Sequence, residues 1–221
     1  MRQTGILYPE MLNNLDPIMF HEPLNGVFEW VTAEDSGRLL ANVCSPDVPE
    51  EFWRHVYNIG GGEKYRTVNW EFMNMCFGAL GMSTIDKILD PRWFATRNFH
   101  GQWYADSDKL EHFLHFRTGS VDDFVRLMKE KAPASTRLAR FVPSFIIKNF
   151  VFKPVANKPF GTLFWLKHNV EGRIHAFFGS KEQWQQIPGW DQFRLEEPST
   201  KVTLLDHGYD ESKRDDELDI E

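Results

Sequence analysis

Two apolar runs in the first third of the chain constrain its fold more than any other feature. Residues 27–31 have strand character and lead into Thr32, a residue type that caps helices. Residues 56–59 form a second strand-like run, which opens into three glycines at 60–62. Because a helical pattern follows each run, the order is strand, helix, strand, turn and helix, which is typical of an α/β fold.

The two helices are delimited by residues with known preferences for helix ends. Thr32 is the predicted N-cap of the first helix, with Asp35 three residues later in a capping-box arrangement. The predicted apolar face of this helix consists of Leu39, Leu40 and Val43. The second helix is predicted for residues 68–80, where apolar side chains recur at helical spacing until Gly81 ends it.

The second half of the chain differs from the first in its sequence pattern. From about residue 90 strand signals fade, aromatic side chains become denser, and helices are predicted at 106–116, 121–131 and 136–152, with Pro143 kinking the last. We therefore expect a few mainly parallel strands, flanked by helices, in residues 1–62, and a largely helical second half. The predicted divisions are 1–90, 91–205 and an acidic tail at 206–221.

Composition excludes several classes of protein. The chain has 221 residues, of which 42% are hydrophobic, so it can bury a substantial core. A net charge of −7 does not favour a nucleic-acid partner. There is no apolar run of about 18 residues and no signal peptide, so we predict a cytoplasmic protein without a membrane partner. Cys44 and Cys76 are predicted to be buried free thiols.

The aromatic clusters at 141–152 and 160–166 have two explanations that do not involve a membrane. They can form a packed helical core, or they can form an interface with another domain. Residues 97–104 mix polar and aromatic side chains without a regular period, which suits a binding loop and a structural loop about equally.

Several motifs are better explained by structure than by chemistry. The glycines at 60–62 match no phosphate-binding fingerprint and are predicted to form a tight turn. Tyr209 and Lys213 have the spacing Tyr-x-x-x-Lys, but acidic neighbours would raise the pKa of this tyrosine instead of lowering it. His112 and His115 lack the further ligands of a zinc site and are predicted to be surface histidines. We predict no catalytic, cofactor-binding or metal-binding residue.

Three segments together resemble a known family. Residues 2–9 resemble Arg-Pro-x-x-x-Tyr-Gly-Pro at Arg2, Tyr8 and Pro9, although Gln3 replaces the first proline and the glycine before the last proline is absent. Residues 29–43 and 56–62 follow in the order that the family has. The first 90 residues or so thus resemble the extended short-chain dehydrogenases/reductases, which include NAD-dependent epimerases and dehydratases. The resemblance implies part of an incomplete Rossmann-type sheet in residues 1–90 and a substrate-domain extension after it.

The resemblance also implies a position for the substrate site. In relatives the segment at 2–9 passes the nicotinamide and begins the substrate pocket, so a small-molecule substrate is expected there. Arg2 and Arg66 can offer paired donors to a carboxylate or phosphate, or they can form ordinary surface ion pairs. The residues expected to border this cleft or to cover it are Arg2, Gly5, Tyr8, Arg66, Asn98 and His100.

The chain departs from the family in what it lacks. It contains no G-x-x-G-x-x-G, no upstream serine and no credible Tyr-x-x-x-Lys pair. We therefore interpret it as the substrate-binding C-terminal part of an NAD(P)-dependent epimerase, dehydratase or reductase. Its nucleotide-binding N-terminal half would be a separate segment, and this chain alone would bind neither NAD nor NADP. The alternative is a non-enzymatic binding or protein-interaction domain derived from that family, with residues 141–166 as its interface.

Overall fold

Residues 2–7 pair with two later strands and so tie the first third of the chain together. We describe residues 1–11, 15–97 and 103–196 of the computed structural model. Within them the strands are Arg2–Gln3 (β1), Gly5–Leu7 (β2), Val27–Thr32 (β3), Asn58–Ile59 (β4) and Arg66–Val68 (β5). The predicted site residues Asn98 and His100, the Tyr209–Lys213 motif and the acidic tail lie outside the described residues.

The strand pairings are mostly parallel. β1 runs parallel to β4, and β2 runs parallel to β3 with Gly5 opposite Trp30, whereas β5 is antiparallel to β3. The prediction of a mixed α/β fold with few strands is confirmed. One strand, β5, lies beyond the predicted range 1–62. It escaped prediction because Val68 was assigned to the following helix.

About half of the chain is helical. The described α-helices are Ala33–Asn42 (α1), Asn69–Ala79 (α2), Ile85–Ile88 (α3), Ser107–Leu114 (α4), Val121–Lys131 (α5), Ser144–Ile146 (α6), Lys153–Ala156 (α7), Thr162–Lys167 (α8), Glu171–Phe178 (α9) and Lys181–Gln185 (α10). A π-helix, Ile147–Phe152, joins α6 to α7. The described 3₁₀ helices are Pro17–Phe20, Glu50–Phe52, Glu63–Tyr65, Pro91–Trp93 and Ala134–Phe141.

Helix starts follow the capping signals in the sequence. The Thr32 side chain accepts a hydrogen bond from the backbone N–H of Asp35 at 3.0 Å, which confirms the predicted cap of α1. The helices predicted at 106–116 and 121–131 correspond to α4 and α5. The helix predicted at 136–152 is instead broken, because the chain leaves a 3₁₀ helix before Pro143 and starts again after it.

The largest buried cluster joins the two halves of the chain. Phe77 of α2 packs against Phe152 of the π-helix, with 5.1 Å between ring centroids. Other members of this cluster are Phe20, Ile85, Ile88, Phe94, Val155 and Ala156. The core therefore crosses the boundary predicted near residue 90. Among the described helices, none is long and apolar enough to cross a membrane.

Two predictions about burial are wrong, and a third segment is divided between its two predicted explanations. Cys44 is exposed at the end of α1, although Cys76 is buried as predicted. Leu40 points away from the core, since the apolar face of α1 is narrower than the run Leu39–Leu40 suggests. The aromatic cluster at 141–152 is only partly a packed core: Phe152 is fully buried, whereas Phe141, Phe145 and Phe150 are exposed.

Candidate functional site

A cavity of about 490 Å³ lies against β3 and α2. Its walls come from residues 3–8, from residues 11–22 as far as they are described, from β3 and from α2. The apolar lining residues include Met11, Met19, Phe28, Trp30, Phe72, Met73 and Phe77. This size and apolar character are typical of sites that bind small molecules.

The alternation of side chains along β3 places two aromatic rings in the cavity. Phe28 and Trp30 face it, whereas Glu29 and Val31 point to the opposite side of the strand. Phe28 stacks on Trp30 at 4.1 Å between centroids, and Trp30 stacks on Phe72 of α2 at 4.6 Å. The Trp30 indole N–H donates to the Thr67 hydroxyl at 3.2 Å. The middle ring of this aromatic wall is therefore held by stacking on both sides and by a hydrogen bond.

Gly5 makes room for this wall. A Cβ at Gly5 would lie 2.7 Å from ring atoms of both Phe28 and Trp30, which is too close for any side chain. The backbone of β2 can therefore lie directly on the two rings. The sequence predicted Gly5 as a site residue from the family resemblance, and the structure places it in the cavity wall beside Tyr8.

The polar groups of the cavity are few and mostly occupied. The Thr4 hydroxyl donates to the carbonyl of Glu29, and the Asn69 amide donates to the carbonyls of Glu22 and Pro23 at 3.2 Å each. Asp16 caps the 3₁₀ helix by accepting from the N–H of Ile18 at 2.8 Å. Among the described lining residues two are acidic, Asp16 and Glu22, and none is basic. The described part of the lining thus offers no cation to a phosphate or a carboxylate.

The predicted site residues do not all meet at this cavity. Gly5 and Tyr8 line it, while Arg2 is exposed and outside the lining. Arg66, predicted to face the substrate, is buried in an ion pair with Glu29, with 3.2 Å between Nε and Oε2. The prediction of one cleft shared by both arginines is therefore corrected. The physical reason is that a buried carboxylate on the far side of β3 draws the Arg66 guanidinium away from the cavity.

Glu29 is a structural carboxylate that the sequence analysis missed. It is fully buried and accepts hydrogen bonds from Gly62 N (2.8 Å), Ser107 Oγ (2.7 Å) and Tyr104 N (3.0 Å), in addition to Arg66. Arg66 also donates to the Tyr104 carbonyl at 3.1 Å, and its guanidinium lies 4.7 Å from the centroid of the Trp103 ring. An acidic residue between Phe28 and Trp30 in a strand was the signal available in the sequence.

Backbone amides of the glycine turn at 60–62 already donate hydrogen bonds within the protein. Gly61 N donates to the Trp30 carbonyl at 2.7 Å, and Gly62 N donates to Glu29. A Cβ at Gly60 would clash with the Glu29 carboxylate, so this position requires glycine. The amides that could hold a pyrophosphate are therefore turned inward, and the turn does not fit a dinucleotide. This geometry agrees with the structural turn predicted from the sequence.

Asp35 anchors a second polar cluster. Its carboxylate is fully buried and accepts from Thr118 Oγ1 at 2.7 Å, Thr118 N at 3.1 Å and the Arg38 side chain. The Tyr65 hydroxyl donates to the Thr118 carbonyl at 2.9 Å. Burial, followed by the charge of Asp35, raises the pKa of Tyr65 to about 12. Tyr65 is therefore protonated at neutral pH and serves this cluster as a hydrogen-bond donor.

The described residues hold no group of three potential metal-ligating side chains, and both His112 and His115 are exposed. Comparison of the chain with protein-family models, with curated proteins and with solved structures gives no match.

Proposed function

We propose that this chain is the substrate-binding C-terminal part of an NAD(P)-dependent epimerase, dehydratase or reductase of the extended short-chain type. The observation that supports this proposal best is the position of residues 2–7. These residues pair with both other segments that resemble the family, at β3 and β4, and they form one wall of the cavity. The three segments that resemble the family thus lie together, beside a cavity large enough for a small-molecule ligand.

The proposal divides the chemistry between two parts of an enzyme. The dinucleotide, which exchanges hydride with a carbonyl or carbinol carbon, would be held by a nucleotide-binding half. The residues of this chain hold the rest of the substrate: the rings of Phe28, Trp30 and Phe72 pack against it, and the apolar walls exclude water. Tyr8 lies at the cavity edge, where its hydroxyl can orient a polar end of the substrate.

The cavity lining favours an apolar substrate without phosphate. Because the described lining contains two carboxylates and no basic side chain, an anionic group would meet repulsion and lose its hydration. A neutral molecule with a large apolar surface meets neither cost, and a cationic one loses hydration but meets no repulsion. This proposal replaces the expectation that Arg2 and Arg66 bind a carboxylate or phosphate.

A fluorescent apolar probe tests the cavity directly. Met19→Trp adds bulk to the cavity lining and is expected to weaken probe binding, whereas Met75→Trp adds the same bulk to a partly buried position outside the lining. Equal affinity of both variants for the probe would show that the cavity is not the binding site.

The second candidate function is a non-enzymatic interaction domain. The observation in its favour is the exposure of Phe141, Phe145 and Phe150 on one stretch of chain. The same probe measurement separates the candidates, because a pure interaction domain has no need of a ligand-sized cavity. Failure of every apolar or cationic probe to enter the cavity would favour the interaction domain.

A further inference from the structure

One segment of the chain has a charge opposite to that of the whole. Residues 131–170 include seven lysines and arginines and no aspartate or glutamate, although the chain as a whole has 32 acidic and 25 basic residues. The chain carries a net charge of −7 and this segment +7, so the remaining residues carry −14. Charge is therefore distributed very unevenly along the chain.

The same segment exposes large aromatic side chains. Phe141, Phe145, Phe150 and Phe160 have 62% to 74% of their surfaces accessible, and Leu138 is similarly exposed. Apolar side chains that are scattered singly need no explanation, but a concentration of this kind marks an interaction site. We call residues 138–160 the basic aromatic surface.

The aromatic side chains are presented by a helical stretch that is itself well packed. Ile147, Phe152 and Val155 belong to the largest buried cluster, where Phe152 contacts Phe77 of α2. Phe145 and Phe150 lie on the outer side of this same stretch, which runs from α6 through the π-helix to α7. Their exposure is thus fixed by the packing of the inner side and does not come from an undocked segment.

Basic groups accompany the exposed rings. The Arg140 guanidinium lies 4.6 Å from the centroid of the Phe141 ring, and Lys153 is exposed next to the π-helix. Lys148 forms an ion pair with Asp90 at 3.4 Å. Within the described part of the chain Arg140 and Lys153 form no ion pair, so their charges are available to a partner.

Contrary to the expectation from sequence of a protein without a membrane partner, we propose that the basic aromatic surface binds peripherally to the surface of a bilayer that contains anionic phospholipid. Aromatic side chains enter the boundary between headgroups and acyl chains, while lysine and arginine attract the anionic headgroups. A second copy of the chain fits less well, because a symmetric contact would place like charges opposite each other.

The basic aromatic surface also adjoins the cavity. Lys158 Nζ donates to the carbonyl of Leu15, a cavity-lining residue, at 3.0 Å, and the carbonyl of Phe160 lies 2.7 Å from His21 Nε2. If the proposed function holds, membrane binding therefore places the apolar cavity close to a source of apolar substrate. The lipid interaction itself stands on exposure and charge alone.

Co-sedimentation of the 221-residue chain with vesicles tests the inference. One set of vesicles is phosphatidylcholine, and the other contains about one quarter phosphatidylglycerol. We expect the chain to bind the anionic vesicles about tenfold more tightly than the neutral ones, and to be released by high salt. Failure to bind the anionic vesicles, or equal binding to both kinds, would overturn the proposal.

Matched variants assign the binding to this surface. Phe145→Ser/Phe150→Ser and Lys153→Glu are each expected to weaken binding several-fold. Leu40→Ser and Lys181→Glu change exposed residues elsewhere and are expected to bind as the unchanged chain does. Equal losses in test and control variants would contradict the assignment.

The oligomeric state of the chain distinguishes a lipid surface from a contact between two copies. If the chain is a dimer and Phe145→Ser/Phe150→Ser dissociates it, the surface belongs to a second copy and the proposal is overturned. Binding of the apolar probe reports on the cavity alone, so the proposed function and the lipid interaction can fail independently.

Discussion

At the scale of single residues, buried carboxylates connect the segments of this protein, because each accepts hydrogen bonds from several of them. Glu29 connects β3 to the glycine turn, to Arg66 and to the backbone of Tyr104. A buried ion pair of this kind adds little net stability compared with apolar packing, but loss of one partner leaves an uncompensated charge. Its main effect here is to fix which segments lie beside β3.

Removal of Arg66 should therefore be costly. Arg66→Ala is expected to lower the free energy of unfolding by about 3–5 kcal/mol, because Glu29 is left buried without its cation. Urea denaturation measures the change. Arg126→Ala removes an exposed ion pair with Asp123 and is expected to change stability little. If the two variants have similar stability, the Glu29–Arg66 pair does not have the role described.

Alkaline pH provides a second test at this scale. Burial raises the pKa of the Cys76 thiol from 9.0 to about 12, so the folded chain keeps a proton that the unfolded chain releases above pH 9. This contribution to stability is complete below pH 9 and is lost as the pH rises toward 12. Urea midpoints should fall over that window, and less steeply in Cys76→Ala. An unchanged slope in the variant would contradict burial of the thiol.

At the scale of secondary structure elements, local signals in the sequence predicted where helices begin and end better than which of their side chains are buried. The cap at Thr32 and the full extent of α5 follow from capping residues and helical period. The exposure of Phe145 and Phe150 does not, because the aromatic cluster at 141–152 fits both a packed core and an interface with another domain. Contacts with distant segments decide between the two, and no local pattern contains them.

The capping hydrogen bond at the start of α1 is expected to contribute to stability. Thr32→Ala is expected to cost about 1 kcal/mol of stability, because the N–H of Asp35 loses its acceptor. Thr84 occupies the same position before α3 but makes no capping hydrogen bond, so Thr84→Ala is the matched control. Thermal unfolding of both variants gives the comparison. A loss of stability confined to Thr84→Ala would contradict the role of Thr32.

At the scale of the whole molecule, the sequence predicted the order of elements but not the contacts between distant segments. The strand-like runs and the family resemblance directed attention to Gly5 and Tyr8, which line the cavity. The position of Arg66 depends on Glu29, which lies 37 residues away in the chain. No local pattern contains such a pairing, and the same holds for the cavity wall that β3 and α2 build together.

The central claim is that this chain binds an apolar substrate and that another segment binds the dinucleotide. Calorimetric titration of the chain tests this claim most directly. We expect a neutral apolar ligand to bind with a negative change in heat capacity, the mark of buried apolar surface. We expect NAD and NADP to show no micromolar binding, because the glycine turn has its amides turned inward. Micromolar binding of either dinucleotide would contradict the account.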